Sequence, residues 1–94
     1  MRTLVWSSTF KRAYRRVVRH QPQLGSRVEW TLQQLSKNPF HPGLHSHKLK
    51  GELAGAWACT VDYDYRILFD FVKNQGTGEE EILLLTMGTH EEVY

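Results

Sequence analysis

The spacing of the apolar residues changes near Gly51, and this change constrains the fold more than any other feature of the sequence. Before Gly51, apolar residues recur every three or four positions, as in residues 10–18. After it they recur at every second position, as at Trp57, Cys59 and Val61. The first spacing is typical of a half-buried helix and the second of a half-buried strand. The order predicts an α+β fold, with helices on one face of an antiparallel sheet.

The first half of the chain carries the signals expected of two helices. Residues 3–6 form a short apolar run that predicts a strand, and the hydroxyl residues 7–9 offer a helix N-cap. A first helix follows, until Pro22 and Gly25 interrupt its pattern. A second helix is predicted at about residues 26–37, before an Asn-Pro pair. Two short helices joined by a tight break favour a helical hairpin.

The second half predicts strands at residues 57–61, 65–71 and 82–85. The last of these has no alternation, so we expect it to be central in the sheet. The order of elements is then β-α-α-β-β-β, with two N-terminal helices packed on a mostly antiparallel four-stranded sheet. With 94 residues, a single domain spanning residues 1–94 is expected.

Charge is divided unevenly between the two halves. Residues 1–50 hold ten Lys and Arg against one acidic residue, which gives +9, whereas residues 51–94 hold two against nine, which gives −7. Such a division indicates a polyanionic partner for the first half, or a solvated basic surface. Five cations fall on the polar side of the first helix: Lys11, Arg12, Arg15, Arg16 and Arg19. They suit a phosphate backbone, and an acidic protein would fit them equally well.

The cysteine and histidine content bears on compartment and on metals. A lone Cys59 cannot form an internal disulfide, which favours a reducing compartment, the cytoplasm. No apolar run approaches the length of a membrane span, and no signal peptide is expected. The spacing of His41, His45 and His47 invites a comparison with zinc sites. Since Cys59 is predicted to face the core, too few ligands remain, and neither a metal nor another cofactor is expected.

Metal-free RNA cleavage needs a base for the 2′-hydroxyl, an acid for the leaving oxygen and cations for the phosphate. Residues that could take part lie in the loop before the second strand, at the hairpin that joins the next two strands, and after the central strand. His47, Asp64 and His90 could transfer protons; Lys48, Lys50 and Arg66 could supply charge; Tyr65 and Tyr94 could contact bases. In the alternative interpretation, the loop and hairpin residues are ordinary solvated groups, and the last residues form a frayed tail.

From His47 onward the chain resembles the RelE/ParE superfamily of bacterial type II toxins, most closely its YafQ-like and RelE-like mRNA interferases. The shared pattern is His47-x-Leu-x-Gly51, Gly55, Asp64-Tyr65-Arg66-Ile67-Leu68-Phe69, Gly88-Thr89-His90 and a terminal aromatic, Tyr94. The resemblance implies ribosome-dependent endoribonuclease cleavage of mRNA, inhibition of translation, and neutralisation by a cognate antitoxin.

The resemblance also implies roles for individual residues. The catalytic set it indicates is His47, Asp64, Arg66, His90 and Tyr94, and Lys48, Lys50 and Tyr65 are expected to contact RNA. The charge of the first helix adds Arg12, Arg15, Arg16 and Arg19 to the predicted RNA-binding residues. One position departs from the family pattern, since Thr60 stands where relatives place a His or Lys, and a hydroxyl is a poor acid or base at neutral pH. Two alternatives stay open: a ParE-like inhibitor of DNA gyrase, and a catalytically silent RNA-binding module.

Overall fold

A computed structural model describes residues 1–53 and 55–94, apart from the side chain of Glu52. Its helices and strands are β1 (Leu4–Trp6), α1 (Ser8–His20), α2 (Leu24–Lys37), β2 (His47–Lys48), β3 (Trp57–Thr60), β4 (Tyr65–Lys73), β5 (Glu80–Thr89) and α3 (His90–Val93). Short 3₁₀ turns lie at Pro42–Leu44 and Gly51–Leu53. The sheet order is β1-β5-β4-β3-β2. β1 pairs with β5 in parallel, and the other neighbours are antiparallel.

The α+β class, the order of the first helices and the mostly antiparallel sheet are confirmed. The predicted count of four strands was wrong, because His47 and Lys48 form a fifth strand against Ala58 and Trp57. Two residues are too few to show a two-residue period, so the sequence carries no signal for this strand. The two N-terminal helices are confirmed, and the structure adds a third, short helix, α3, which the predicted order of elements lacked.

The boundary predicted between the two helices needs a smaller correction. α2 begins at Leu24 and not at about Ser26, and Gly25 lies inside the helix. Leu24 is buried against the core, and its N–H donates to the carbonyl of Gln21 at 2.9 Å. Burial of this side chain outweighs the modest helix penalty of a neighbouring glycine.

The main core lies between the helical hairpin and one face of the sheet. Alternation along β4 directs Ile67 and Phe69 into it, where both are fully buried. The helices meet them with residues on a single stripe: Phe10, Ala13 and Val17 from α1, and Leu24, Val28, Leu32 and Leu35 from α2. β5 contributes Ile82, Leu84 and Met87. It pairs with β1 and β4, so it is an interior strand as expected, although β4 occupies the centre of the sheet.

The opposite face of the sheet carries a much smaller cluster. Ala58, Leu68 and Val93 are buried there, with Leu49 and Leu85 packed beside them. Val93 comes from α3, so this helix covers part of the face that the hairpin leaves open. Because β4 alternates, Arg66 lies on this second face with Leu68, as the two-residue period predicted.

The first helix depends on a side-chain cap that also joins it to the sheet. Ser7 Oγ accepts a hydrogen bond from the N–H of Phe10 at 3.0 Å and donates to the carbonyl of Leu85 at 3.1 Å. Its backbone N–H donates to the carbonyl of Leu84 at 3.3 Å. The cap therefore connects the start of α1 to the middle of β5.

We expect Ser7→Ala to lower the free energy of unfolding by about 1–2 kcal/mol, because one N-terminal N–H of the helix loses its acceptor. Urea denaturation gives the value. Ser8→Ala is the matched control, since Ser8 is exposed on the first turn of the same helix. Equal stability of the two variants would show that the cap contributes nothing.

Candidate active site

An open cleft of about 450 Å³ lies on the second face of the sheet, between the β3–β4 turn and the start of α3. Its lining residues are Tyr63, Asp64, Arg66, Thr89, His90 and Glu91. The register of the two long strands creates the cleft, because Tyr65 pairs with Thr89 and Arg66 with Gly88. The first residues of β4 are thereby placed beside the last residues of β5.

The β3–β4 turn is held by the side chain of Asp62. Its Oδ1 accepts hydrogen bonds from the N–H of Asp64 at 2.9 Å and from that of Tyr65 at 2.8 Å. On the other side, the N–H of His90 donates to the carbonyl of Asp64 at 3.1 Å. Asp64 and His90 are thus connected through their backbones, so the main-chain positions that bear these two proton-transferring side chains are fixed relative to each other.

Arg66 is anchored through one nitrogen of its guanidinium. Nη1 donates to the carbonyls of Asp62, Tyr63 and Tyr65, at 2.8, 3.0 and 3.1 Å respectively. Within the described residues, Nε and Nη2 have no hydrogen-bond or ion-pair partner. A half-buried guanidinium fixed in this way keeps donors for an anion while its own position is set by the turn.

A capping box organises the turn of helix that bears His90. Thr89 Oγ1 accepts from the N–H of Glu92 at 3.3 Å, and the N–H of Thr89 donates to Glu92 Oε1 at 2.8 Å. The backbone hydrogen bond from Thr89 lowers the pKa of Glu92, followed in effect by the Thr89 side chain and by Arg16, whose Nη2 is 3.9 Å away. Gly88 permits this packing, since a Cβ there would lie 3.0 Å from Glu92 Oε1.

His90 and Tyr94 lie one helical turn apart and contact each other through their rings. The centroids are 4.3 Å apart with the planes at 80°, an edge-to-face arrangement. Burial raises the pKa of the Tyr94 phenol, and the positive charge of Arg66 partly opposes this shift. Tyr94 also lines a second groove, of about 520 Å³, together with Leu49, Lys50, Leu53 and Val93.

Comparison with known proteins decides the family. The model of the family described as "Bacterial toxin of type II toxin-antitoxin system, YafQ" matches residues 2–94. The chain belongs to the YafQ toxin family. The comparison with curated proteins gives no significant match.

Several solved structures of bacterial toxins have a fold similar to that of this chain. YafQ from E. coli strain BL21(DE3) is 15% identical with a TM-score of 0.77, over 100% of this chain and 99% of that one. YafQ in the E. coli DinJ-YafQ complex is 14% identical with a TM-score of 0.77, over 100% and 99%. The YoeB/ParE toxin from Agrobacterium tumefaciens is 18% identical with a TM-score of 0.76, over 94% and 98%. At these identities the structures show the shared fold.

The predicted site residues of this YafQ-family toxin fall into separate groups. Asp64, Arg66 and His90 meet in the cleft, and Tyr94 contacts His90 from the adjoining groove. Thr60 pairs with Arg66, so the position that departs from the family pattern adjoins the same site.

The site residues predicted for the loop before the second strand, His47, Lys48 and Lys50, do not line the cleft. His47 is exposed on the far strand, beside Ala58 on the second face, and its Nδ1 is 3.1 Å from the carbonyl of His45. Lys48 pairs with Trp57 and so points towards the helical side, whereas Lys50 lines the groove next to Tyr94.

Tyr65 lies on the helical side of the sheet. Its hydroxyl accepts a hydrogen bond from Gln21 Nε2 at 2.7 Å, and its ring packs against the main core. Alternation therefore separates it from Arg66, its neighbour in sequence, and gives it a role in packing the end of α1 onto the sheet.

The cations of α1 are all exposed, and one of them lies near α3. Arg16 is 3.9 Å from Glu92 of α3. Lys11 and Arg15 border a different groove, which they share with Trp6 and Tyr14. The basic surface therefore reaches α3 at Arg16 and borders an apolar groove at Lys11 and Arg15.

Two features of the site were missed from sequence. The Thr89-x-x-Glu92 spacing is a capping-box signature and could have predicted α3. Tyr63, at the tip of a polar turn, carried no comparable signal, because only the fold shows what lies beside it.

Within residues 1–53 and 55–94, the structure also bears on metal binding, membrane spanning and thiol chemistry. No group of three or more His, Cys, Asp or Glu residues there is arranged to hold a metal ion. No helix in that part of the chain has the length and apolarity needed to cross a membrane. Burial raises the pKa of Cys59 to about 12, so the thiol stays protonated and unreactive at neutral pH.

We expect the charge of Glu92 to make part of the stability dependent on pH. Its pKa is lower in the folded state than its ordinary value of 4.5, so its contribution is present above that value and lost as pH falls through the folded pKa. Glu92→Gln keeps both capping hydrogen bonds and removes the titration.

Between about pH 6 and pH 3, the melting temperature should therefore fall less steeply for Glu92→Gln than for the wild type. Glu91→Gln is the control, since it removes an equal charge from the same turn at an exposed position outside the capping box. Parallel curves for Glu92→Gln and the wild type would contradict the role given to this carboxylate.

Proposed function

We propose that this YafQ-family toxin is an endoribonuclease that cleaves mRNA on the ribosome by metal-free transesterification, and so inhibits translation in the cytoplasm. The observation that supports this most is the convergence of Asp64, Arg66 and His90 in one cleft. A carboxylate, a partly unengaged guanidinium and an imidazole are the groups that the reaction requires.

In the proposed reaction the ribose 2′-oxygen attacks the adjacent phosphorus. The O2′–P bond forms, the P–O5′ bond breaks, and a 2′,3′-cyclic phosphate and a 5′-hydroxyl result. One proton leaves the 2′-hydroxyl and one reaches the 5′-oxygen. His90 and Asp64 are the two groups assigned to these transfers, because an imidazole and a carboxylate held together by the backbone can serve as a proton-transfer pair.

Arg66 and Tyr94 have supporting roles in this reaction. The free donors of Arg66 stabilise the negative charge that develops on the phosphate oxygens. Tyr94 holds the imidazole of His90 by edge-to-face contact. Lys50 extends the positive charge along the next groove, and His47 offers a contact to RNA further along the same face.

The basic row on α1 is assigned to docking. Its five cations are exposed on one side of the helix, and the row reaches the active-site helix at Arg16. Ribosomal RNA around the mRNA presents phosphates that such a row can bind without reading sequence.

A cognate antitoxin is the proposed protein partner. The family is described as a toxin of a type II toxin–antitoxin system, and an E. coli relative has been solved as a DinJ-YafQ toxin-antitoxin complex. The apolar grooves beside Trp6 are bordered by cations, which suits a partner with acidic and apolar side chains.

We expect His90→Ala to reduce single-turnover cleavage on programmed ribosomes by about 100- to 10,000-fold, the range for loss of a general acid or base. Its thermal melt and antitoxin binding should change little, because the backbone bond from residue 90 to Asp64 remains. His20→Ala is the control, since it removes an exposed imidazole outside the cleft.

Near-normal cleavage by a folded His90→Ala protein would remove His90 from the mechanism. If the wild type cleaves no mRNA on ribosomes and inhibits DNA gyrase instead, the proposed activity is wrong.

A second prediction concerns docking. Changing Arg12 and Arg15 to Glu should weaken ribosome binding. The slope of the logarithm of the binding constant against the logarithm of the salt concentration should become shallower by about 0.7–0.9 per lost phosphate contact. The cleavage rate at saturating toxin should be nearly unchanged, because neither residue lines the cleft.

The control compares Arg12→Glu alone with Lys73→Glu, since each reverses one exposed cation and Lys73 lies outside α1 and outside the grooves beside Trp6. If ribosome binding by the α1 variant is normal and its antitoxin binding is lost, the basic row belongs to the partner protein.

A further inference from the structure

Tyr63 stands at the tip of the β3–β4 turn with 92% of its surface exposed, at the border of the cleft that contains Asp64, Arg66 and His90. Within the described residues, its hydroxyl has no hydrogen-bond partner and its ring contacts no other aromatic ring. A side chain this exposed buries almost no apolar surface, so it contributes little to folding.

Other exposed aromatic rings of the chain are explained by their neighbours. Phe40, at 55% exposure, packs against Trp57 and Phe71. Tyr94, at 40%, packs against His90. Tyr63 differs from both, and the turn itself gives no reason for a tyrosine, since Gly, Asn, Asp, Ser and Pro are the residues that turns favour.

The backbone beneath Tyr63 is nevertheless fixed. Its carbonyl accepts a hydrogen bond from Arg66 Nη1 at 3.0 Å, and the neighbouring Asp62 binds the N–H groups of the two residues that follow Tyr63. An aromatic ring presented on an ordered turn loses little conformational entropy when a ligand covers it.

We infer that Tyr63 is the stacking platform for an unpaired nucleobase next to the scissile phosphate. The inference rests on the proposed ribonuclease function and adds a substrate contact to it. Arg66 donates to the carbonyl of Tyr63, so its guanidinium is fixed to the backbone that bears the exposed ring. A nucleotide offers both a phosphate and a flat aromatic base, and every base can stack.

A carboxylate of the cleft fits the same ligand. Glu91 lines the cleft, and an ionised carboxylate only accepts hydrogen bonds. It would repel a second phosphate, whereas the amino and ring N–H groups of a base are donors. The cleft therefore has a cationic part for the phosphate and an aromatic, hydrogen-bond-accepting part for the base, which indicates single-stranded RNA with one base turned out of its stack.

The test is single-turnover cleavage of mRNA on programmed ribosomes, with the toxin concentration varied to separate the saturating rate from the half-saturating concentration. Wild type is compared with Tyr63→Phe, Tyr63→Leu and Tyr63→Ala. Gln75→Ala, on the exposed β4–β5 turn, is a control for a surface truncation outside the cleft. Thermal melts establish that each variant folds, which the exposure of Tyr63 leads us to expect.

Tyr63→Ala and Tyr63→Leu should lose roughly 5- to 150-fold in the ratio of rate to half-saturating concentration, the factor that corresponds to one stacked base. Tyr63→Phe should stay within about twofold of wild type, because the ring provides the contact. Since Leu keeps apolar bulk and loses the aromatic face, its failure to rescue separates stacking from simple packing.

Wild-type cleavage by Tyr63→Ala would overturn the stacking role and leave the proposed nuclease standing. Normal cleavage with weakened antitoxin binding would assign Tyr63 to the partner protein, and would equally overturn the inference. Absence of cleavage by the wild type itself would reject the proposed function and the inference with it. Equal losses in Tyr63→Phe and Tyr63→Ala would show that the hydroxyl, and not the ring, makes the contact.

Discussion

The pairing of β4 with β5 is the constraint on which the rest of the structure depends. The two strands run side by side from Tyr65 opposite Thr89 to Lys73 opposite Glu80. On one face this register brings Ile67 and Phe69 into the core beneath the helical hairpin. At the Tyr65–Thr89 end of the pair, the register places the β3–β4 turn beside His90. A shift of one residue would move every side chain of β4 to the wrong face, so the core and the cleft are specified together.

The cleft is built mainly from hydrogen bonds between side chains and the backbone, and little from ion pairs between its own side chains. Arg66 donates to carbonyl groups of the β3–β4 turn, and Asp62 accepts from N–H groups of the same turn. Thr89 and Glu92 together cap α3. Such bonds are local in the chain and directional, so they order the turn and the short helix without a large core around them. The chemical groups thereby stay exposed to a large substrate while their backbones are fixed.

The sheet also separates two tasks between adjacent residues. Tyr65 faces the hairpin and binds Gln21, whereas Arg66 faces the cleft. The resemblance in sequence implied catalytic roles for Asp64 and Arg66 and an RNA-binding role for Tyr65. In the fold, the hydroxyl of Tyr65 binds Gln21 at the end of α1, on the opposite face of the sheet from Arg66.

The sequence by itself determined the class of the fold, the two helices, the three main strands and the face of β4 on which Arg66 lies, because these follow from spacing within short segments. Local patterns also indicated Asp64, Arg66, His90 and Tyr94 as candidate catalytic residues. The two-residue strand at His47 and the placement of Tyr63 beside His90 were decided only by the tertiary structure. Both depend on which strands become neighbours and in what register, and that is set by packing between residues far apart in the chain.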